Sequence, residues 1–172
     1  MNIVLLEPEI PANTGNIGRT CVVTGTRLHL IEPLGFAINE KMLKRAGLDY
    51  WDKLDVKIYR DYREFDSLNK DRPVWYLTTK AERSYTDVEY GPDDYLMFGK
   101  ETAGIPEEIL VRNREHCVRI PMVASERSLN LSNAAAIVLY EALRQNGFLG
   151  LEKQGSLHRL SWQQGNGLPE DN

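Results

Sequence analysis

The chain has 172 residues, of which 42% are hydrophobic and 27% are charged, and its formal net charge is −4. This composition is typical of one soluble globular domain, and no apolar run approaches the ~20 residues that a membrane-spanning helix needs. Because the protein as a whole is weakly acidic, any binding of nucleic acid must come from a local basic patch.

Cysteine and histidine usage argues against disulfide and metal frameworks. Cys21 and Cys117 lie inside apolar segments, which favours reduced, buried thiols. The three histidines show no metal-ligand spacing with each other or with the cysteines. The first residues also lack the pattern of a signal peptide. We therefore expect a cytoplasmic protein without a bound metal.

Short apolar runs alternate with helical patterns along the first 150 residues. Asn13 is predicted to cap a helix over residues 14–24, which Gly25 would close. Strands are predicted at Asn2–Leu6, Arg27–Ile31, Val56–Tyr59, 74–78, Tyr95–Phe98 and 117–120, and further helices at 39–46, 61–68 and 106–111. This alternation predicts an α/β domain with a mostly parallel sheet and flanking helices.

The stretch after residue 117 combines a strand, a polar loop and a helix. Pro121 stops the strand, and a helix should begin near Leu131 with Asn130 or Ser132 as its cap. The helix is apolar around most of its circumference, which predicts burial. Such a loop can present polar groups to a ligand from a rigid base, although capping alone also explains the Ser and Asn residues.

The chain divides into a domain over residues 1–150 and a polar tail over 151–172. Residues 80–94 join two strands without a clear helix. The tail is rich in Gln, Gly and Asn and shows no sustained period, so we expect it to be extended or disordered. The pattern leaves open whether Leu157, Leu160 and Trp162 pack back on the domain.

Three predicted strands end in loops suited to a ligand site, at residues 77–79, 99–104 and 121–128. In open α/β sheets ligands bind at the carboxyl ends of strands, so these loops are expected to line one pocket. Gly99 and Gly104 would allow a close backbone approach or a positive φ, or would serve tight turns only.

Two basic features could hold phosphate. The amides of Thr14, Gly15 and Asn16, at the predicted helix start, together with Arg19 suit an anion, although a simple cap and a solvated arginine explain them too. A second basic face, which could equally be solvated, consists of Lys41, Lys44 and Arg45. Dinucleotide, P-loop and α/β-hydrolase signatures are absent from the sequence.

Taken together, three segments resemble the three motifs of the SPOUT-class RNA 2′-O-methyltransferases. They lie at residues 13–19, at 96–106, and at 120–122 with 128–134. The whole span 1–150 is similar to the small enzymes of this class that methylate the tRNA wobble nucleotide, cytidine or modified uridine 34. The chain departs from the family at Ala103, where an arginine is usual, and so lacks a possible phosphate or carboxylate contact beside the cofactor loop.

The resemblance implies S-adenosylmethionine as the methyl donor, a C-terminal trefoil knot and no metal. It also implies a homodimer with active sites at the subunit interface, acting on the anticodon region of tRNA. By motif position, the cofactor-binding residues would be Leu77, Thr78, Gly99, Glu101, Gly104, Ile120, Met122, Ser128, Leu129 and Ala134.

The resemblance also implies the residues that act on RNA. The catalytic set would be Asn13, Arg19, Glu101, Ser128 and Asn130. The expected RNA-binding set joins Arg19 with the basic face of Lys41, Lys44 and Arg45, which comes from helical spacing and not from the resemblance. A guanidinium is a poor base, so Arg19 is expected to orient the phosphate and hydroxyl and to stabilise developing negative charge. The alternatives are 2′-O-methylation of another tRNA or rRNA site, or a binding module without turnover.

Overall fold

The structure, a computed structural model, describes residues 1–37 and 51–162. The strands are β1 Asn2–Leu6, β2 Arg27–Ile31, β3 Val56–Tyr59, β4 Val74–Leu77, β5 Arg83–Ser84, β6 Tyr95–Phe98 and β7 Cys117–Arg119. The helices are α1 Pro11–Thr24, α2 Tyr62–Leu68, α3 Glu107–Arg112 and α4 Leu131–Gln145, with short 3₁₀ turns at Trp51–Lys53 and Arg114–His116. Within the described residues the strands form one parallel sheet in the order β3-β2-β1-β6-β4-β7-β5.

The α/β fold with a parallel sheet is therefore confirmed, with small shifts at element ends. Strands β4 and β7 each end one residue before the predicted bound, and α3 starts after Pro106, which is its N-cap. Strand β5 was missed because two residues carry no periodicity. The predicted helix at 39–46, with Lys41, Lys44 and Arg45, lies outside the described residues.

The sheet is buried on both faces, as the apolar runs predicted. Ile3 and Leu5 of β1 point into a core with residues of α1 and α4, such as Ile17 and Leu139. The alternate residues of β1 and β6 point into a second core covered by α2 and α3. Period-two side-chain alternation, combined with helices on both sides, explains why these strands are apolar throughout.

The start of α1 differs from the prediction. The helix begins at Pro11 with Ile10 as N-cap, because proline is favoured at the first helical position. Asn13 is therefore not the cap; it lies in the first turn and is only 5% exposed. The anion site predicted from the amides of residues 14–16 is also wrong. The Thr14 N–H already donates to the Ile10 carbonyl at 3.3 Å, and the next two residues lie beyond the free first turn.

Helix α4 is capped as predicted but only partly buried. The Asn130 side-chain oxygen accepts from the backbone N–H groups of Ser132 and Asn133 at 3.0 and 3.3 Å. One face of the helix is buried in the core, whereas Ile137 and Tyr140 are 39% and 47% exposed. The predicted burial is thus found on one face only, because an apolar residue does not specify which neighbour will cover it.

Strand β7 lies between β4 and β5, which are consecutive in the chain. The segment that joins β4 to β5 therefore crosses the position of a strand that comes later in the sequence. This order accommodates a trefoil knot, which stays a prediction.

In the described parts of the chain, no helix has the length and apolarity of a membrane span. Leu157, Leu160 and Trp162 are exposed, and both cysteines are buried and unpaired.

A buried histidine ties β1, β2 and β3 together. His29 Nδ1 lies 2.8 Å from the Tyr59 hydroxyl, and Nε2 lies 3.1 Å from the side-chain oxygen of Asn2. The Asn2 amide nitrogen donates to the Asp93 carbonyl at 2.8 Å, so its oxygen must face the imidazole. Since this oxygen can only accept, Nε2 is the donor in that hydrogen bond. Burial, with smaller contributions from Arg27 and Lys57, lowers the pKa of His29 to about 4.

We predict an acid-dependent loss of stability that depends on His29. In the unfolded chain its pKa is about 6.5, so between pH 6.5 and 4 the unfolded state binds more protons. The neutral imidazole therefore contributes full stability above pH 6.5, and this contribution, about 3 kcal/mol, is lost as the pH falls towards 4. Urea unfolding at several pH values should show the free energy of unfolding falling with pH over this range. The fall should be smaller in His29→Gln and the same as in wild type in the control His158→Gln, because His158 is exposed. An identical slope in wild type and His29→Gln would contradict the assignment.

Candidate functional site

A cavity of about 600 Å³ opens at the carboxyl ends of β4, β6 and β7. Its wall comes from the three loops that the sequence placed there, together with the starts of α1 and α4. All residues predicted to bind a cofactor line it: Leu77, Thr78, Gly99, Glu101, Gly104, Ile120, Met122, Ser128, Leu129 and Ala134. The size is within the usual range for a small-molecule site.

A chain of hydrogen bonds joins three distant parts of the sequence beside this cavity. The Asn130 side-chain amide donates to the Asn13 side-chain oxygen at 2.9 Å. The Asn13 amide in turn donates to the Glu101 carboxylate at 2.9 Å. Since Asn130 also caps α4, the same few side chains fix the starts of α1 and α4 relative to the 99–104 loop. The structure thus brings Asn13, Glu101 and Asn130 into one polar network.

The Glu101 carboxylate is the centre of this network. Besides the Asn13 amide, it accepts from the backbone N–H of Glu9 at 2.8 Å and from that of Ile10 at 3.3 Å. Hydrogen bonds to an ionised carboxylate are among the stronger ones in proteins. Glu101 therefore satisfies backbone donors at the start of α1, a role that the sequence reading assigned to Asn13.

The two glycines of the 99–104 loop serve different needs. A Cβ on Gly99 would overlap the backbone of Gly104 and Ile105, so residue 99 packs against its own loop. Gly104 has a φ of +71° and open space around its Cα. Its N–H donates to the Lys100 carbonyl at 2.8 Å, which closes the loop on itself. Glycine is needed at 99 for space and at 104 for conformation.

Arg19 is the predicted catalytic residue that the structure does not place at this cavity. It lies on α1, six residues after Asn13, and its side chain is exposed. At a rise of ~1.5 Å per residue this separates the two positions by about 9 Å along the helix. Ser128, by contrast, lines the cavity from an exposed loop. The catalytic set is therefore divided between the cavity and an exposed face of α1.

Three cations at the cavity were missed by the sequence reading: Lys80, Lys100 and Arg127. Lys100 binds the Glu7 carboxylate at 2.9 Å, which raises the pKa of the lysine. Lys80 binds Glu107 at 2.8 Å, which lowers the pKa of that carboxyl. Arg127, in the exposed loop before α4, is adjacent to the predicted Ser128. Their positions next to predicted cofactor residues could have identified Lys100 and Arg127, and Lys80 lies two residues after the predicted Thr78.

The cavity wall otherwise combines apolar side chains with hydroxyl groups. Leu77, Ile120 and Met122 provide apolar surface, and Thr78 and Ser128 provide hydroxyls. Within the described ranges, 1–37 and 51–162, no cluster of His, Cys, Asp or Glu side chains could hold a metal ion.

Comparison with known proteins places the chain among RNA methylases. The model of the SpoU rRNA Methylase family matches residues 1–140. The chain is 52% identical over 151 residues to the tRNA (cytidine(34)-2′-O)-methyltransferase of Escherichia coli K12, covering 87% of this chain and 96% of that protein. It is 51% identical over 150 residues to the protein of the same name from Saccharophagus degradans, covering 87% and 97%.

Solved structures show the same similarity. A structure described as concerning 2-OH methylation of C/U34 on tRNA superposes with a TM-score of 0.79 at 41% identity, covering 85% of this chain and 95% of that chain. An AdoMet-bound rRNA methyltransferase from Sinorhizobium meliloti superposes with a TM-score of 0.73 at 25% identity, covering 83% of this chain and 55% of the other.

The two loop glycines make a paired prediction. Gly99→Ala should displace the 99–104 loop, because its Cβ would overlap backbone that cannot rotate away, at a cost of about 2 kcal/mol or more. Gly104→Ala should cost about 1–2 kcal/mol through its positive φ alone, since nothing obstructs the new methyl group. Denaturant unfolding measures both costs. Equal effects, or a larger one at Gly104, would mean that the loop does not pack as described.

Proposed function

The chain belongs to the SpoU rRNA methylase family, and from this premise we propose that it methylates the ribose 2′-hydroxyl of the tRNA wobble nucleotide, cytidine or modified uridine 34. The methyl donor is S-adenosylmethionine. The observation that carries the proposal is the cavity in which the three sequence motifs meet around the Asn130–Asn13–Glu101 network. The relatives named for this reaction align over almost their whole length.

The cavity suits the donor. An adenosyl group needs an apolar slot with a few fixed hydrogen-bonding groups. Leu77, Ile120 and Met122 provide the slot, and Thr78 and Ser128 lie at its polar edge. The 99–104 loop closes one side and leaves Gly104 without a side chain towards the ligand. S-adenosylmethionine supplies an electrophilic methyl group on a sulfonium, so the chemistry of the donor requires no metal.

The protein's part in the reaction is to position the ribose hydroxyl and to stabilise its developing charge. Holding the reacting groups in line can lower a barrier by as much as ~7–11 kcal/mol. Asn130, Asn13 and Glu101 fix the floor on which the ribose would lie, since each is held by at least one other member of the network. Arg19 supplies a permanent positive charge for the substrate phosphate and the hydroxyl oxygen as its proton leaves.

The position of Arg19 supports a homodimer. The exposed side chain of Arg19 does not line the cavity of its own chain. It can act on a reacting ribose if it reaches the cavity of a second copy of the chain. Helices α1 and α4 pack together, and between them they expose Val23, Ile137 and Tyr140. Apolar groups left exposed on adjacent helices are typical of an interface. A two-fold dimer places both copies of Arg19 equivalently.

We assign the catalytic domain to residues 1–150 and the remaining residues to a polar extension. The RNA backbone is held at a distance by Lys41, Lys44 and Arg45, and the enzyme acts in the cytoplasm, where tRNA is found. Because the net charge is −4, such local cations are needed for the capture of a polyanion.

The direct test supplies the protein with S-adenosylmethionine carrying a labelled methyl group and with total tRNA. Label at the 2′-oxygen of nucleotide 34, located by mass spectrometry of nuclease fragments, is the expected result. Label at another tRNA position or only in rRNA would redirect the substrate assignment. Binding of RNA and donor without any transfer would support the non-catalytic alternative.

Arg19 and the basic face should affect different measurements. Arg19→Ala should lower the single-turnover methylation rate at saturating tRNA by about 10²–10³-fold, as loss of a charge-stabilising donor does. Neutralising Lys44 and Arg45 together should weaken tRNA binding. The slope of log binding constant against log salt concentration should become shallower by about 0.7–0.9 for each lost phosphate contact, and the methylation rate at saturating tRNA should not change. Filter binding at several salt concentrations and single-turnover assays separate the two. The reverse pattern would mean that the two roles are exchanged.

The homodimer makes a separate prediction. Ile137→Asp places a charge on the exposed face of α4 and should convert the protein to monomers in sedimentation velocity, with loss of methylation. Val111→Asp is the matched control, because Val111 is also exposed but lies on α3, on the other side of the sheet. A wild-type protein that sediments as a fully active monomer would contradict the dimer.

A further inference from the structure

The 99–104 loop forms a continuous part of the cavity wall, since each of its residues lines the cavity. Among the described residues, the side-chain hydrogen bonds and the ion pair that tie this loop to the rest of the protein all lead to residues 7–13. Glu101 accepts from that segment, Lys100 binds Glu7, and Thr102 binds Glu9. Glu9, the partner of Thr102, is a residue to which the sequence motifs assign no role.

Glu9 and Glu101 hold each other's segments reciprocally. The Glu9 carboxylate accepts from the Thr102 N–H at 3.1 Å and from the Thr102 hydroxyl at 2.8 and 3.0 Å. In return, the Glu9 N–H donates to the Glu101 carboxylate at 2.8 Å. Two consecutive residues of the cavity loop are thereby fixed to one residue of the segment before α1, once through its backbone and once through its side chain.

The backbone of Glu9 is itself held in place. A Cβ on Gly35 would come within 2.7 Å of the Glu9 Cα, so the turn after β2 packs directly against it. The Gly35 N–H also donates to the Pro8 carbonyl at 2.9 Å. The Glu9 carboxylate therefore extends from a fixed position and can act as an anchor for a loop that moves more easily.

We propose that Glu9 is a positioning residue for the methyl donor, acting through Thr102 on the 99–104 loop. Glu9 does not line the cavity, so its effect on the ligand has to pass through this loop. The inference rests on the proposed function, because it takes the ligand of the cavity to be S-adenosylmethionine. It states which part of the protein determines donor affinity beyond the residues that touch the donor.

The charge of Glu9 offers a different explanation, which can be separated by experiment. A carboxylate near a sulfonium could raise affinity through electrostatics alone. Glutamine keeps an oxygen that can accept from Thr102 but has no charge, whereas alanine has neither. Positioning therefore predicts that Glu9→Gln loses less affinity than Glu9→Ala, and a charge effect predicts that the two variants lose the same amount.

Calorimetric titration with S-adenosylmethionine is the test. Glu9→Ala should bind about tenfold more weakly, the effect of one charge-assisted hydrogen bond, and Glu9→Gln about threefold more weakly. The methylation rate at saturating donor should stay within about twofold of wild type, since KM rises and kcat does not. Glu82→Ala is the control and should bind as wild type does, because Glu82 is an exposed glutamate paired with Arg114 away from the 99–104 loop.

The possible outcomes separate the two proposals. Wild-type affinity in Glu9→Ala, or equal losses in the Ala and Gln variants, would overturn the role of Glu9. Absence of donor binding by the wild type would instead refute the proposed function. If Glu9→Ala does not fold, Thr102→Val removes only the hydroxyl contact and should still weaken binding, by about threefold. If both single variants fold, the double variant Glu9→Ala/Thr102→Val should bind the donor no more weakly than Glu9→Ala alone. Losses that add up in the double variant would contradict a contact shared by the two residues.

Discussion

The Glu101 carboxylate connects the parts of this molecule on which its site depends. It accepts from the Asn13 side chain and from the backbone N–H groups of Glu9 and Ile10. These donors lie roughly ninety residues earlier in the chain, and Asn130 joins them through Asn13. Because the carboxylate satisfies several donors at once, loss of its charge or a shift of its loop would leave neighbouring donors without partners. Helix α1, the cavity loop and helix α4 are therefore held in one arrangement.

The sheet makes this contact possible. Strands β1 and β6 are parallel neighbours, with Leu5 opposite Phe98, so the loops that follow them leave the same edge of the sheet side by side. A slip of one residue would exchange the β6 side chains that pack in the two cores and would carry Glu101 away from α1. Burial of both faces fixes the register, and the register places the carboxylate. The hydrophobic core and the polar network are thus two consequences of the same strand pairing.

Much of this architecture could be predicted from the sequence, for physical reasons that differ between elements. Buried parallel strands are short apolar runs, and Asn before an apolar helix is a common cap, so β1, β6 and the role of Asn130 were predictable. Asn13 was assigned as a cap because the same side chain can cap a helix or bind a partly buried carboxylate. Its partner Glu101 is distant in sequence, and only the fold brings the two together.

The other differences have the same origin. Ile137 and Tyr140 are apolar, but composition does not say whether a neighbour in the same chain or a second copy covers them. Gly99 was expected to allow a close backbone approach or to serve a tight turn, and the group that it approaches is the backbone of its own loop. Glu9 carried no signal at all, because a glutamate between two prolines gives no indication of its partner Thr102. Local pattern predicts elements, and long-range contacts decide the roles of individual polar residues.

The hydrogen bonds of Glu101 also bear on how the ribose hydroxyl loses its proton. A carboxylate beside the cavity would be the obvious candidate for a general base. Both of its oxygens, however, accept hydrogen bonds from the protein, with donors at 2.8, 2.9 and 3.3 Å. An oxygen already used to hold the start of α1 cannot turn towards a substrate without leaving those donors unsatisfied. We therefore propose that Glu101 contributes the rigidity of the site, and that the charge developing on the ribose oxygen is stabilised by a cation outside the network, the role that the proposed dimer gives to Arg19.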